Sequence, residues 1–151
     1  MQPTLPPAGG GSIGFESTAP ISAATGSDFT IIVVAAGASE AYQGYQWTLH
    51  TGPNVTIANS QADAANTGFA TCAKAGGVGP SLSYGGCVSV GQTAIYNGRL
   101  ETVTIHCDAP GALTLKFANV LEGNGFSTSF LRTGSEEFGG PSSDSVSVTC
   151  T

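Results

Sequence analysis

Two alternating apolar runs in this 151-residue chain each end on a cysteine, and this feature narrows the possible folds more than any other. In Thr102–Cys107 the apolar positions are Val103, Ile105 and Cys107; in Ser145–Cys150 they are Val146, Val148 and Cys150. Side chains alternate between the two faces of a strand, so each cysteine continues the inward face of its own strand and both sulfurs point into one core. Pairing Cys107 with Cys150 ties the last strand to the middle of the chain. Cys72 and Cys87 then close a loop containing Gly76, Gly77, Gly79 and Pro80, which contributes about 3 kcal/mol in a chain-entropy description. Four cysteines permit three connectivities, and four free buried thiols are the alternative to any bridge. No C-x-x-C is present, which argues against a zinc ribbon or a thioredoxin-type centre. An oxidised pair of bridges places the chain outside the cell, at the surface or secreted.

The same alternation recurs along the chain. Asp28–Ala36 is a β-branched run suited to a central strand, and in Tyr42–His50 the residues Tyr45, Trp47 and Leu49 share one face. Tyr42 falls on the opposite phase and is expected at the surface. Further strands are expected at 12–17, 54–58, 68–73, 83–90, 93–96, 99–107, 113–117, 126–132 and 145–150, with an Asn97-Gly98 hairpin between two of them. The stretch 58–66 is the only place for a helical turn. Charged residues are 9% of the chain and glycine numbers 22, a balance that suits strands and turns over helices. The fold class is therefore all-β: an antiparallel sandwich of jelly-roll or immunoglobulin-like type with about nine strands. Its expected core is Val33, Tyr45, Trp47, Leu49, Val103, Ile105, Leu113, Leu115, Phe117, Val146 and Val148. Residues 1–11, rich in Pro and Gly, read as an arm or linker, and residues 12–151 as the domain.

Charge excludes several functions. The net charge is −6, and the four basic residues Lys74, Arg99, Lys116 and Arg132 form no cluster, so a nucleic-acid partner is excluded and an anionic membrane surface is disfavoured. No run approaches the roughly 18 apolar residues of a membrane span. The region after Met1 has no apolar core of a signal peptide, so export implies a targeting segment removed or outside this sequence.

Catalytic chemistry finds little support. His50 and His106 sit on outward phases with no ligand-spaced partner, no G-x-S-x-G elbow is present, and no pair of carboxylates is placed as a glycosidase requires. No catalytic residue, cofactor or metal is expected; the only oxygen-rich candidate for Ca²⁺ is the loop carrying Glu136, Glu137 and Asp144, which lacks an EF-hand spacing. Asn54-Val55-Thr56 is a glycosylation sequon at a turn.

The order of segments adds to this reading. Phe29–Ala36 is followed by Ala41-Tyr42-Gln43-Gly44-Tyr45-Gln46-Trp47-Thr48-Leu49, then Pro53-Asn54-Val55, then a Gly-rich middle. Asn97-Gly98-Arg99-Leu100 precedes Thr102–Cys107, and Gly111–Phe117 precedes Asn119–Glu122. Over about residues 26–150 this order resembles the cohesin family and its bacterial cohesin-like relatives, although cohesins of cellulase complexes usually lack such a cysteine framework. The resemblance implies a nine-stranded jelly-roll sandwich without a catalytic centre.

Two functions follow as expectations. In the first, the chain is a self-assembling extracellular subunit of a filament or surface layer, adhesive in character. Ile13 and Phe15 supply the alternation by which an N-terminal strand adds to a neighbouring copy, and such head-to-tail contacts propagate without closing. An arm folded back on its own domain is the competing arrangement. In the second, it is a monomeric module that binds another extracellular protein, as cohesins do, or a glycan.

Overall fold

The structure is a computed structural model that describes residues 10–63, 67–79, 81–89, 95–118, 127–132 and 137–151. These residues form thirteen strands. They are β1 (Ser12–Phe15), β2 (Ile21–Ala23), β3 (Asp28–Ala36), β4 (Gly44–His50), β5 (Val55–Ala62), β6 (Thr71–Gly79) and β7 (Leu82–Val88). Then come β8 (Gly98–Cys107), β9 (Gly111–Phe117), β10 (Ser129–Leu131), β11 (Glu137–Phe138), β12 (Gly140–Pro141) and β13 (Ser145–Cys150). One sheet has the order β12-β1-β3-β8-β5; the larger runs β11-β10-β4-β9-β13-β2, with β7 also on β4 and β6 on β7. Their inner faces close over a single core, giving an all-β sandwich.

The ladders are mixed rather than purely antiparallel. β1 pairs in parallel with β12, and β2 in parallel with β13. Between them the chain leaves the smaller sheet after Phe15 and enters the larger one at Ile21, passing Pro20. β2, β11 and β12 have two or three residues each, too short to show an alternation in sequence. They account for three of the four strands beyond about nine.

Every expected core residue lies inside. Trp47 is fully buried because Gly85 stands opposite it on β7; a Cβ there would collide with Cζ2 of the indole. The structure pairs Cys107 with Cys150, Cα atoms 5.8 Å apart, and Cys72 with Cys87. The first bridge joins β8 of the smaller sheet to β13 of the larger.

Several local expectations are corrected. Tyr42 is fully buried, because the chain bends at Gln43 before β4 begins and the parity of Tyr45 does not extend across the bend. Its ring packs on Phe130 (4.5 Å) and Phe69 (5.4 Å), and its hydroxyl donates to the Tyr96 carbonyl at 2.5 Å. Residues 58–62 belong to β5; residues 64–66 lie outside the described residues, and Thr67 N–H donates to Asp63 O at 3.0 Å. Asn97-Gly98 is no hairpin: Ile95 and Tyr96 are not in a strand. Asn97 instead uses its side chain as a substitute strand partner, accepting from Ala38 N at 2.8 Å and donating to Ala38 O at 3.2 Å. Thr93 and Phe126 lie outside the described residues.

Candidate functional site

The outward face of the larger sheet gathers the side chains best suited to recognition. β4 sends Gln46, Thr48 and His50 to that side, since Tyr45, Trp47 and Leu49 take the inner face; Thr48 is fully buried there, while Gln46 and His50 are half-buried. Register puts Tyr84 of β7 opposite Thr48, and Lys116 of β9 opposite His50. Directly opposed residues share a face, so a tyrosine, a histidine and a lysine lie on three adjacent strands. Tyr84 and His50 are half-buried; Lys116 and Thr114 are exposed. Aromatic side chains with a polar tip are favoured in protein interfaces.

One side of this face is fixed by a polar network. Gln46 Nε2 donates to Glu137 Oε1 at 2.7 Å and to Ser127 Oγ at 2.9 Å, while Ser129 Oγ donates to the same carboxylate oxygen at 2.7 Å. Ser127 Oγ donates to it as well. Thr128 takes the place of a strand where β9 gives way to β10: its Oγ1 accepts from Thr48 N at 3.0 Å and donates to Thr48 O at 3.2 Å. These bonds hold β10 and β11 against β4.

Glu137, one of the three calcium candidates, has a carboxylate oxygen that accepts from three donors. Asp144 sits elsewhere, exposed and beside Ser142 near β1, and Glu136 lies outside the described residues. Among the described residues no group of three or more His, Cys, Asp or Glu could hold a metal. Asn54 serves the fold: its Nδ2, the atom a glycan would use, donates to Ala109 O at 3.1 Å and Gly111 O at 3.3 Å. Ile13 and Phe15, expected to engage a neighbouring subunit, are buried in the core of their own domain. β1 is paired on both edges, with β3 and β12, because its alternating apolar face completes this sandwich.

Two partnerships escaped the sequence reading. His106 lies on the outward face of the smaller sheet opposite Asp28, with Nδ1 2.6 Å from its carboxylate. Glu101 is buried on the inner face of β8. Its Oε1 accepts from Tyr45 Oη at 2.9 Å and Trp47 Nε1 at 3.1 Å. Burial raises its pKa, opposed by bonds from Trp47, Tyr45 and Ser60. Burial, then the neighbouring Glu101 charge, pushes the Tyr45 phenol far up. The signal for Glu101 was present, since it shares the phase of Val103, Ile105 and Cys107. Arg99 shares it too, but a bulge intervenes. Val33 faces Glu101 and Val34 faces Arg99, leaving Leu100 as the extra residue. Leu100 turns in and Arg99 turns out to an ion pair with Glu16. A cleft of about 440 Å³ runs alongside, lined by Gln61, Asp63, Arg99, Glu101 and Thr102.

No family model and no curated protein sequence matches the chain. Solved structures do. A cohesin module from a Clostridium perfringens family 33 glycoside hydrolase superposes with TM-score 0.67 at 10% identity, over 98% of each chain. The chain has the cohesin fold. A non-cellulosomal cohesin from the archaeon Archaeoglobus fulgidus gives 0.63 at 10% identity, over 93% of this chain and 91% of that one. A type I cohesin of Clostridium thermocellum, solved in complex with a dockerin, gives 0.63 at 11% identity, over 100% and 99%. In this cohesin fold the bridges Cys72–Cys87 and Cys107–Cys150 staple one sheet internally and the two sheets to each other. The aromatics Tyr42, Tyr45 and Trp47 are buried in the core of this cohesin fold.

Proposed function

We propose that this chain is a non-catalytic, extracellular protein-binding module of the cohesin type, whose partner docks on the outward face of β9, β4 and β7. The observation that carries this reading is the near-complete superposition on a cohesin that was solved with its dockerin. The face itself supports it: Tyr84, His50 and Lys116 stand on a sheet whose strands are locked by the Gln46–Glu137 network. A rigid face loses little conformational entropy on binding. The two disulfides support an oxidising, extracellular setting.

Titration of the chain with a panel of purified dockerin modules, read by calorimetry, tests the proposal. We expect at least one module to bind in the micromolar range or tighter, and the double variant Tyr84→Ala/Lys116→Ala to bind it at least about tenfold more weakly, a loss of 1.4 kcal/mol. Equal affinity of that variant would move the partner to another face. No binding by any dockerin, together with light scattering that grows with concentration, would favour assembly with copies of itself.

A further inference from the structure

The two disulfides differ in how a solvent thiol can reach them. Cys107 and Cys150 are both buried, at 0% and 2% exposure, and their bridge spans the space between the sheets. Cys87 is buried at 2%, but Cys72 is exposed. Cys72 and Cys87 are directly opposed partners in the β6–β7 ladder, with Cα atoms 4.0 Å apart. β6 is bonded to no strand except β7 among the described residues, and its register slips between Ala73 and Gly76 and again between Gly77 and Gly79. An accessible bridge on a singly paired, irregular strand can be attacked without unfolding the domain, whereas the cross-sheet bridge must wait for the sandwich to open.

The same strand is tied to the aromatic part of the core. Phe69 lies just before β6 and is 1% exposed, its ring 5.4 Å from Tyr42 and 6.0 Å from Tyr45. Cys72 Sγ lies 4.0 Å from the Phe69 carbonyl oxygen. The bridge therefore anchors the chain immediately after this ring.

We propose that Cys72–Cys87 is a thiol-exchange site, attacked at Cys72 by a low-molecular-weight thiol, and that opening it releases β6 while Cys107–Cys150 keeps the sandwich closed. The incoming thiolate forms a bond to Cys72 Sγ as the Cys72–Cys87 bond breaks, and the electron pair leaves on Cys87 Sγ, which takes up a proton. A second thiolate attacks the sulfur of the attached thiol and expels Cys72 as thiolate. In sum, two thiols are oxidised to one disulfide and the protein bridge is reduced to two thiols. β7 stays in place through its ladder with β4, so the freed element is β6, and Phe69 loses the tie that follows it.

The folded, oxidised chain is incubated with graded glutathione or dithiothreitol without denaturant, quenched with iodoacetamide and mapped by mass spectrometry. Cys72 and Cys87 should be alkylated at least about tenfold faster than Cys107 and Cys150, with amide exchange rising in residues 71–79 while β8 and β13 remain protected. Equal rates, prior reduction of Cys107–Cys150, or reduction of either bridge only in denaturant would overturn the proposal. So would unchanged exchange in β6 after selective reduction. Two single variants test the site of attack. The Cys72 thiol in Cys87→Ser should react with dithionitrobenzoate at least about tenfold faster than the Cys87 thiol in Cys72→Ser; the reverse order would overturn the assignment of Cys72.

Discussion

The two ends of the sandwich are built on different principles. At one end the core is mostly aliphatic, with Val55, Ile105, Leu113 and Val148 around the Cys107–Cys150 bridge. That bridge links strands of opposite sheets, so parting the sheets strains a covalent bond. At the other end the core is aromatic, with Tyr42, Tyr45, Phe69, Phe130 and Phe138 packed ring on ring. These tyrosines bring hydroxyls that need partners when buried, and Glu101 and the Tyr96 carbonyl supply them. The bridge at this end, Cys72–Cys87, lies within one sheet and holds only a hairpin. The aliphatic end resists sheet separation; the aromatic end depends on hydrogen bonds and on β6 staying in place.

Breaking the aromatic side should have the largest effect. Trp47→Ala removes a fully buried indole and one donor to Glu101, and should cost roughly 3–5 kcal/mol in urea denaturation. A cost below about 1 kcal/mol would show that Trp47 is exposed in solution. Next come the bridges themselves. Cys107→Ala/Cys150→Ala opens a link of sequence separation 43 and should cost about 4 kcal/mol, against about 3 kcal/mol for Cys72→Ala/Cys87→Ala at separation 15. The reverse order would erase the contrast between the ends.

The buried carboxylate sharpens the comparison through pH. Burial holds the Glu101 pKa above the 4.5 of an unperturbed glutamate. The folded chain therefore keeps a proton where the unfolded chain has lost it, so this contribution to stability is full below about pH 4.5 and is lost as pH rises through the folded pKa. Glu101→Gln carries no such loss. Its stability relative to the parent should climb with pH inside that window, by up to about 1.4 kcal/mol per unit, in denaturation curves between pH 4 and 8. A constant difference would place Glu101 in water. Lys116→Ala should have the smallest effect on folding, within about 0.5 kcal/mol, because its side chain is exposed; any larger effect of this change should appear in partner binding.

Periodicity alone placed most strands and the inward side chains, since a strand with one wet face must alternate. It also placed Cys107 and Cys150 in one core, and it contained the phase of Glu101. It could not reveal where that phase breaks. The bend at Gln43 turned Tyr42 inward, and the bulge at Leu100 turned Arg99 outward. Two-residue strands carry no periodicity, so β11 and β12, and with them the partner that claims Glu137, were invisible.

What the sequence determined by itself is the class of the fold, the composition of the core and the phase that sends two sulfurs to one interior, because these depend on local alternation and burial. What the tertiary structure decided is which sheet each strand enters, which edge of β1 is filled and which polar groups meet across strands. Those outcomes depend on pairing between residues far apart in the chain, and a one-residue slip or bend, costing little locally, moves a side chain from one face to the other.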